Sequence, residues 1–417
     1  MISRCKILLS IPLLLYPLVS AAANAPQIPQ NVSFKTLIIT PRPIEGLTGD
    51  SSGNLYTGGS GSAPCPIYRI NLANPSLTVV GNVPAAVTPA GSCGFSGITF
   101  NAVGDLFVAD GGAGRIYRLT PNATTPPDAT LFVSGVPGTN GLAFDRDGNL
   151  WTGDGTTGRG RVWRISSSGG VCATSYTGCE EVFRVQPMRN GTDLGGNVAA
   201  QTGITSQGVG RQNRNFPPGT STNSSGGQDL VANGLAFNQS GDLFVADTAR
   251  GAIWKVQFDR QGNLMSPTGC DETFTSNTLC LSNVFVSHPI LEGADGIALD
   301  VAGNIWADAN ERNAVAVVTT AGRVVEVFRN PVNDASGLRN SAADNSTILE
   351  FPTSPFLLGK TLCTSNSDGD RRDNSPRADG EIDAGSGQGK ISCMNEPLTI
   401  QGLPLPVSPK ASRGRSR

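Results

Sequence analysis

A phrase framed by two glycines occurs five times in this chain, with the same number of residues between the glycines in every copy. The residue before the first glycine changes from copy to copy, but it is always polar. A fixed frame around one variable polar position predicts a structural unit repeated around an axis, with a site built from one position of each unit. The copies begin at Glu45-Gly46, Ser96-Gly97, Asn140-Gly141, Asn233-Gly234 and Asp295-Gly296.

Each copy reads as a β-hairpin. Residues 141–144 form a short apolar strand, 145–149 supply the Gly and Asn of a tight turn, and 150–152 begin the return strand. Further strand-like segments follow, such as 161–165. One repeat therefore holds about four strands, which is one propeller blade, and the 52 Gly and 28 Pro favour turns over long helices. We predict an all-β, six-bladed propeller over residues 30–400.

The sixth blade has to come from the region after residue 325, where the phrase has decayed. Candidate strands are 324–328, 347–351 and 359–363. The segment 32–39 has no hairpin partner nearby. We expect it to complete the last blade and close the ring, which removes exposed sheet edges.

A long Gly-, Asn- and Ser-rich segment, residues 166–230, separates the third and fourth copies. It would hold either a degenerate blade or an insertion. Its few apolar residues favour an insertion loop between blades three and four, lying over one face as a lid or disordered. Residues 401–417 are Pro-rich and then basic, and we predict a disordered tail.

The N-terminus predicts export. Residues 1–25 combine a charged start, a short apolar run and small residues suited to cleavage, which is the pattern of a signal peptide. We therefore expect a secreted or periplasmic protein with no membrane span after signal removal. The net charge of −2 gives no support for binding nucleic acid.

Eight cysteines remain after the signal, an even number that indicates disulfides in an exported chain. The sequence leaves the connectivity open. The local solution joins neighbours, each pair stapling a loop or hairpin within one repeat, and no CxxC pair supports a zinc site. The pairs would be Cys65–Cys93, Cys172–Cys179, Cys270–Cys280 and Cys363–Cys393.

Equivalent positions of the blades meet at the propeller axis. We therefore expect four polar side chains at one mouth of the channel, Glu45, Asn140, Asn233 and Asp295. Two carboxylates and two amide oxygens form an all-oxygen set of the kind that Ca²⁺ prefers. The alternative is that these side chains only hydrogen-bond neighbouring strand ends.

The same residues resemble the SMP-30/gluconolactonase/LRE-like group of six-bladed propellers. The resemblance rests on Glu45-Gly, on Asn140-Gly and Asn233-Gly with their hairpins, and on Asp295-Gly-Ile-Ala-Leu-Asp. It implies a divalent metal held by Glu45, Asn233 and Asp295, with Asn140 beside metal and substrate and Asp295 as the base. The chain departs from the sugar-lactone hydrolases of that group. Gly141 follows Asn140 where Asp is typical, 136–139 lack an Arg, and 153–158 lack a Glu that contacts substrate.

Other motifs favour structural explanations. Ser51 matches a nucleophile pattern but occupies a hairpin turn. The single histidine, His288, is expected in a loop, and the glycines of 153–158 precede a strand instead of the helix that a dinucleotide site needs. We interpret the recurring Asp110, Asp154 and Asp247 as turn caps, and the acidic run 366–373 as a solvated loop.

The leading functional hypothesis is a Ca²⁺-dependent hydrolase that acts on a small-molecule lactone or related ester. In this hypothesis Asp295 takes the proton of a metal-activated water. The first alternative is a non-enzymatic NHL-type propeller that binds a ligand or protein, with a structural axial metal or none. The second is a strictosidine-synthase-like propeller, which would use no metal.

Overall fold

The computed structural model describes residues 28–29, 32–172, 178–186, 231–272, 274–291, 293–310, 313–329, 348–367 and 388–404. The predicted signal peptide and the acidic run after Ser367 lie outside these residues. Within the described ranges, no helix is long and apolar enough to cross a membrane.

Six antiparallel sheets follow one another along the chain, and they confirm the predicted six-bladed propeller. After β1 (Phe34–Thr40), the first three blades contain, in chain order, β2 (Thr48–Gly49), β3 (Asn54–Gly58), β4 (Gly61–Ser62), β5 (Cys65–Asn71), β6 (Leu77–Val83), β7 (Ser92–Cys93), β8 (Phe95–Phe100), β9 (Leu106–Asp110), β10 (Arg115–Leu119), β11 (Thr130–Ser134), β12 (Thr139–Phe144), β13 (Leu150–Asp154), β14 (Arg161–Ile165), β15 (Gly170–Val171) and β16 (Cys179–Arg184).

The other three blades begin at the fourth copy of the phrase. Their strands are β17 (Ala232–Phe237), β18 (Leu243–Asp247), β19 (Ala252–Val256), β20 (Val284–Ser287), β21 (Ala294–Leu299), β22 (Ile305–Ala309), β23 (Ala314–Val318), β24 (Val324–Arg329), β25 (Pro352–Leu358), β26 (Thr361–Asn366) and β27 (Gly389–Met394). Short 3₁₀ helices lie at Ala85–Val87, Thr248–Arg250, Leu281–Asn283 and Pro289–Leu291.

The strand order within the blades is simple. Blade one is β2-β3-β5-β6, blade two is β8-β9-β10-β11, blade three is β12-β13-β14-β16, blade four is β17-β18-β19-β20, and blade five is β21-β22-β23-β24. Blade six is β25-β26-β27-β1, so the N-terminal strand closes the ring as the sequence predicts. Each of the six hydrophobic clusters among the described residues contains side chains of two neighbouring blades, because both faces of every blade are covered.

Three expectations about the later blades need correction. The predicted sixth-blade strand 324–328 is the outer strand of blade five, and the described part of 347–351 is not a strand. Since the N-terminal strand fills one place in blade six, that blade needs only three strands from the C-terminal region. Residues 401–404 were expected in the disordered tail, yet Gly402 forms a β-bridge with Asp300.

The predicted insertion 166–230 begins too early. Strand β16 lies inside it and pairs with β14 as the outer strand of blade three, while β15 pairs in parallel with β11 at the edge of blade two. The polar composition of the segment conceals the short alternating pattern of β16. Residues 173–177 and 187–230 lie outside the described residues.

All four expected disulfides form: Cys65–Cys93, Cys172–Cys179, Cys270–Cys280 and Cys363–Cys393. The first does not stay within one repeat, because it joins β5 of blade one to β7, which precedes blade two. The last joins directly paired residues of β26 and β27 in the closing blade.

The hairpin turns alternate in chemistry around the ring. In blades three and five an Asp opens the turn and accepts the indole N–H of a buried Trp, at 2.9 Å for Asp145 and 3.0 Å for Asp300. In blade two Asn101 opens the turn and Asp105 ends it, and Phe107 occupies the place of the Trp. Burial raises the pKa of Asp105 there, but hydrogen bonds from Thr120 and Arg118 outweigh burial and leave it below its usual range.

Candidate metal centre

A repeated bulge displays the variable polar residue in four of the five copies, those of blades two to five. The pairing of first and second strands is interrupted between Thr139 and Leu142 in blade three, between Ala232 and Leu235 in blade four, and at the same place in blades two and five. The polar residue and its glycine lie inside each interruption. Bulges of this kind redirect a side chain away from the regular alternation of a strand, which explains why these residues can face the axis.

The glycine that follows each polar residue is required by close packing. A Cβ built on Gly141 would lie 2.5 Å from the carbonyl oxygen of Asn233 and 2.8 Å from the Cα of Gly234. The same relation links each of the five glycines to the carbonyl oxygen of the polar residue in the next blade. The innermost strands can therefore approach the axis only because these positions carry no side chain.

The packing brings the sequence-predicted residues together. Glu45, Asn140, Asn233 and Asp295 all line one cavity of about 450 Å³ at the axis. Ser96 of blade two and Thr353 of blade six occupy the equivalent positions and complete an inner ring of six residues. Asn140, Asn233 and Asp295 are each less than a tenth exposed, and Glu45 is half-buried. Glu45 and Asp295 are the charged side chains among the described lining residues.

A second set of cavity residues was missed by the sequence analysis. It lies just after the second strand of each blade, and Thr248 and Asn310 both follow their inner-ring residue by 15 positions. The same offset from the five polar positions of the phrase leads to Ser60, Gly111, Gly155, Thr248 and Asn310 and would have identified these five from sequence, whereas Ser367 follows Thr353 by 14 positions. We call these residues the supporting ring: Ser60, Gly111, Gly155, Thr248, Asn310 and Ser367.

In blade four the supporting residue fixes the amide of Asn233. The hydroxyl of Thr248 donates its proton to the carbonyl oxygen of Ala294 at 2.7 Å, so it can only accept from Asn233, whose Nδ2 lies 3.1 Å away. The amide nitrogen must therefore face Thr248. Asn233 Oδ1 is left buried, and no described residue donates a hydrogen bond to it.

Blade five repeats this arrangement with different residues. Nδ2 of Asn310 donates to Oδ2 of Asp295 at 3.0 Å, and a carboxylate can only accept. The orientation of this amide is therefore also determined, and Asn310 Oδ1 is buried without a hydrogen-bond donor among the described residues.

In blade three the supporting residue makes room for the inner ring. A Cβ on Gly155 would lie 2.8 Å from the Cβ of Asn140, so only glycine leaves space for that side chain. The amide of Asn140 is therefore held against the wall of the cavity.

The cavity residues fit a hard cation. Two buried amide oxygens without donors lie in the same cavity as two carboxylates, which repel each other unless a positive charge lies between them. Oxygen ligands of this kind suit Ca²⁺. In the part of the chain that the structure describes, no three His, Cys, Asp or Glu side chains cluster to hold a metal. The fit therefore depends on the amide oxygens as well as on the acids.

Phe351 adds an unusual wall to the cavity. Its φ is 56°, a conformation that a bulky side chain rarely adopts. The side chain of Asn313 accepts the backbone N–H of Phe351 at 2.8 Å and stabilises this conformation. Together with Phe95 and Ile44, Phe351 gives the cavity an apolar part beside its polar ring.

The recurring aspartates act in turns. Asp110 Oδ1 accepts the backbone N–H groups of Gly94 and Ala113, and burial raises the pKa of this carboxyl. Asp154 accepts the N–H of Thr157 and pairs with Arg161, and Asp247 accepts the indole N–H of Trp254. These contacts are those of turn caps and strand cross-links.

The remaining motif residues lie away from the axis. Ser51 is exposed in the hairpin turn between β2 and β3. Nδ1 of His288 accepts the backbone N–H of Ile290 at 3.0 Å in the loop after β20. Neither residue lines the axial cavity.

Comparison with known proteins confirms the family resemblance. Residues 214–344 match the model of the SMP-30/Gluconolactonase/LRE-like region. This segment contains Asn233, Asp295 and Asn310. No curated protein sequence matches the chain.

Solved structures confirm the fold. A calcium-binding protein, regucalcin, from Agrobacterium tumefaciens superposes with a TM-score of 0.55 at 15% identity, covering 90% of this chain and 97% of that chain. A luciferin-regenerating enzyme gives 0.53 at 12% identity, covering 90% and 99%. The PQQ-bound form of an aldose sugar dehydrogenase from Streptomyces coelicolor gives 0.52 at 17%, covering 89% and 99%. Since one fold carries such different chemistry, function has to be argued from the site.

Proposed function

We propose that this protein is an exported hydrolase that depends on a divalent cation, most simply Ca²⁺, and opens a lactone or a related ester. The observation that carries the proposal is the amide oxygen of Asn233 in the axial cavity. The bond from its Nδ2 to Thr248 forces this buried oxygen to remain without a donor among the described residues, in the same cavity as the carboxylates of Glu45 and Asp295. The match of residues 214–344 to the SMP-30/Gluconolactonase/LRE-like region supports the same reaction class.

In this proposal Glu45, Asn233 and Asp295 hold the cation, and Asn140 lies beside it and contacts the substrate. When bound, a divalent cation polarises a carbonyl oxygen and lowers the pKa of a nearby water. The chain contributes the orientation of the ligands. Thr248 fixes the amide of Asn233, and two hydroxyl groups, of Thr353 and Ser365, donate to the backbone oxygen of Glu45.

Asp295 acts as the general base. Its Oδ2 accepts the amide of Asn310, and this bond holds the plane of the carboxylate. A base held in one orientation can take the proton of the attacking water without rearranging during the reaction. Ring-opening by this route needs neither a serine nucleophile nor a histidine.

The shape of the cavity favours an enzyme over a propeller with a purely structural ion. A volume of about 450 Å³ falls in the range of small-molecule sites. The apolar side chains of Phe95 and Phe351 line it together with the polar ring. We therefore propose an uncharged substrate, with the carbonyl of a lactone or ester at the polar ring and its hydrocarbon part against the phenyl groups.

Calorimetric titration of the purified full-length protein with Ca²⁺ tests the metal site. We expect Asp295→Ala to abolish binding, whereas Asp259→Ala, which removes a partly buried aspartate of a hairpin turn outside the axial cavity, should leave it unchanged. Hydrolysis of a panel of neutral lactones and esters should then disappear on chelation, return with Ca²⁺, and be absent in Asp295→Ala.

Two results would contradict the proposal. A wild-type protein that binds no divalent cation cannot use this mechanism. Hydrolysis that persists in the presence of a chelator would place the activity elsewhere in the molecule.

A further inference from the structure

Asn310 lies at the axial cavity without being part of the repeated frame. It follows β22, is 3% exposed, and lines the same cavity as the inner ring. The residues at the same place in the other blades are small: Ser60, Gly111, Gly155, Thr248 and Ser367. Because glycine suffices in blades two and three, the fold does not need an amide here. The side chain of Asn310 therefore calls for an explanation other than blade packing.

The hydrogen bonds of Asn310 determine where its oxygen can act. Its nitrogen is committed to Asp295 Oδ2 at 3.0 Å, so the amide cannot be reversed without placing two oxygens against each other. Oδ1 is then buried with no donor among the described residues. Leaving such an acceptor unpaired costs about 1–3 kcal/mol. A cation in the cavity would remove that cost.

The charges around Asn310 also favour a cation in the cavity. An amide that donates its N–H to a carboxylate can bind a cation together with that carboxylate, because the amide oxygen and the carboxylate oxygens all carry negative partial charge. Thr248 also orients its inner-ring partner, but it does so by accepting from Asn233 Nδ2, and its only proton goes to the carbonyl oxygen of Ala294. Asn310 and Ser367 are the described supporting residues whose buried side-chain oxygens have no hydrogen-bond partner, and of these two Asn310 also donates to a proposed metal ligand, Asp295.

We infer that Asn310 is a further oxygen ligand of the axial cation and also positions the carboxylate of Asp295. The inference rests on the proposed function, which assigns the cation to Glu45, Asn233 and Asp295. It adds a residue that the repeated phrase does not contain. It also explains why the amide oxygens of blades four and five are both left without donors.

Europium luminescence on the full-length protein tests the inference, because lifetimes in H₂O and D₂O count the waters on a bound ion. When a protein oxygen is lost, water takes its place. We expect Asn310→Ala to add about one coordinated water and to weaken Ca²⁺ and Eu³⁺ binding by about 10- to 100-fold. Asn310→Ser is the second variant, for use if the alanine variant folds poorly. It introduces the residue that blades one and six have at this place and should give the same change.

Asn304→Ala is the matched control. Asn304 belongs to the same blade and also donates its amide to a buried carboxylate, Asp300 Oδ2, at 2.8 Å, but it lies in the hairpin turn and not in the axial cavity. It should leave the water count and the affinity unchanged. Thermal unfolding without cation reports any loss of stability in the three variants separately.

The outcomes separate the two proposals. If wild type binds the ions and both Asn310 variants keep its water count and affinity, Asn310 is not a ligand, while the hydrolase proposal stands. If wild type binds neither Ca²⁺ nor Eu³⁺, the metal site itself is wrong and the role of Asn310 is overturned with it.

Discussion

The contacts between successive blades differ from the contact that closes the ring. From blade one to blade six, each innermost strand presents a glycine to the carbonyl oxygen of the next blade, as Gly141 does to Asn233. Between blade six and blade one, Ser354 stands where the glycine would be. There the hydroxyls of Thr353 and Ser365 donate to the carbonyl oxygen of Glu45. We call the first set the glycine contacts and the second the closing contact.

The difference shows how the ring combines repetition with an adjustable join. The glycine contacts depend on the absence of a side chain and allow almost no variation, because backbone meets backbone. The closing contact uses side-chain hydrogen bonds and a strand from the other end of the chain. Glu45, a proposed metal ligand, belongs to the closing contact. The geometry of the site therefore depends on how well the ring is closed.

Removing β1 should give the largest effect. A chain that starts at Pro41 loses the outer strand of blade six, its pairing with β27 from Phe34 to Thr40, and the packing of Phe34 in the cluster between blades five and six. It also exposes the edge of β27. We expect the loss of cooperative unfolding, since the effect is comparable with a total stability of about 5–15 kcal/mol. Circular dichroism during heating measures it.

A chain that starts at Ile28 is the control, because it keeps β1 and should unfold as the full chain does. A peptide of residues 32–42 added to the chain lacking β1 should restore the cooperative transition. If the chain lacking β1 unfolds at the temperature of the control without added peptide, β1 is dispensable and ring closure does not determine the stability of the propeller.

The glycine contacts predict the second effect. In Gly141→Ala the new Cβ would lie 2.5 Å from Asn233 O and 3.0 Å from Leu235 N, so backbone has to move. We expect a loss of about 1–3 kcal/mol or more from overpacking. An alanine would otherwise stabilise by about 0.4–1 kcal/mol through the unfolded chain. Urea unfolding measures the free energy.

Ser354→Ala at the same position of blade six is the matched substitution. It adds no atom, and we expect a change within about 0.5 kcal/mol. If Gly141→Ala costs no more than Ser354→Ala, the glycine contact accommodates a Cβ as the closing contact does, and the two kinds of contact do not differ in packing.

The repeated phrase predicted five of the six blades and four residues of the inner ring, Glu45, Asn140, Asn233 and Asp295, because both follow from local pattern. The hairpin turn and the polar-Gly pair recur at fixed spacing, and equivalent positions of blades must meet at the axis. Blade boundaries were less predictable where a strand lacks the phrase. Strand β24 was assigned to the wrong blade, and β16 was hidden in a polar segment, since outer strands carry no glycine contact.

The roles of Thr248 and Asn310 could not be derived from local pattern. Their positions are periodic, but their functions depend on which atom donates to which, and that is a property of the folded site. Only the bond from Thr248 to Ala294 O shows that the amide of Asn233 has one allowed orientation. Sequence periodicity therefore locates such residues, and hydrogen-bond chemistry assigns their roles.

Removing the two hydroxyls of the closing contact should change stability least, but it should also weaken Ca²⁺ binding. Thr353 Oγ1 donates to Glu45 O at 2.8 Å, and Ser365 Oγ donates to the same oxygen. Thr353→Val or Ser365→Ala alone leaves one donor, so each should cost about 0.5–1.5 kcal/mol. The double variant leaves the carbonyl without either hydroxyl, and we expect its loss to exceed the sum. Urea unfolding of the four proteins measures the coupling.

Calcium affinity decides whether this contact also serves the site. Because Glu45 loses its anchor in the double variant, its carboxylate should be held less firmly, and Ca²⁺ binding should weaken by about 10-fold. Ser266→Ala removes a buried hydroxyl that accepts a backbone N–H far from the cavity, at 2.9 Å from Gln257 N, and should lower stability without changing affinity. An unchanged calorimetric affinity in the double variant would show that the closing contact stabilises the ring without positioning Glu45. The glycine contacts and the supporting ring would then be sufficient to set the geometry of the site.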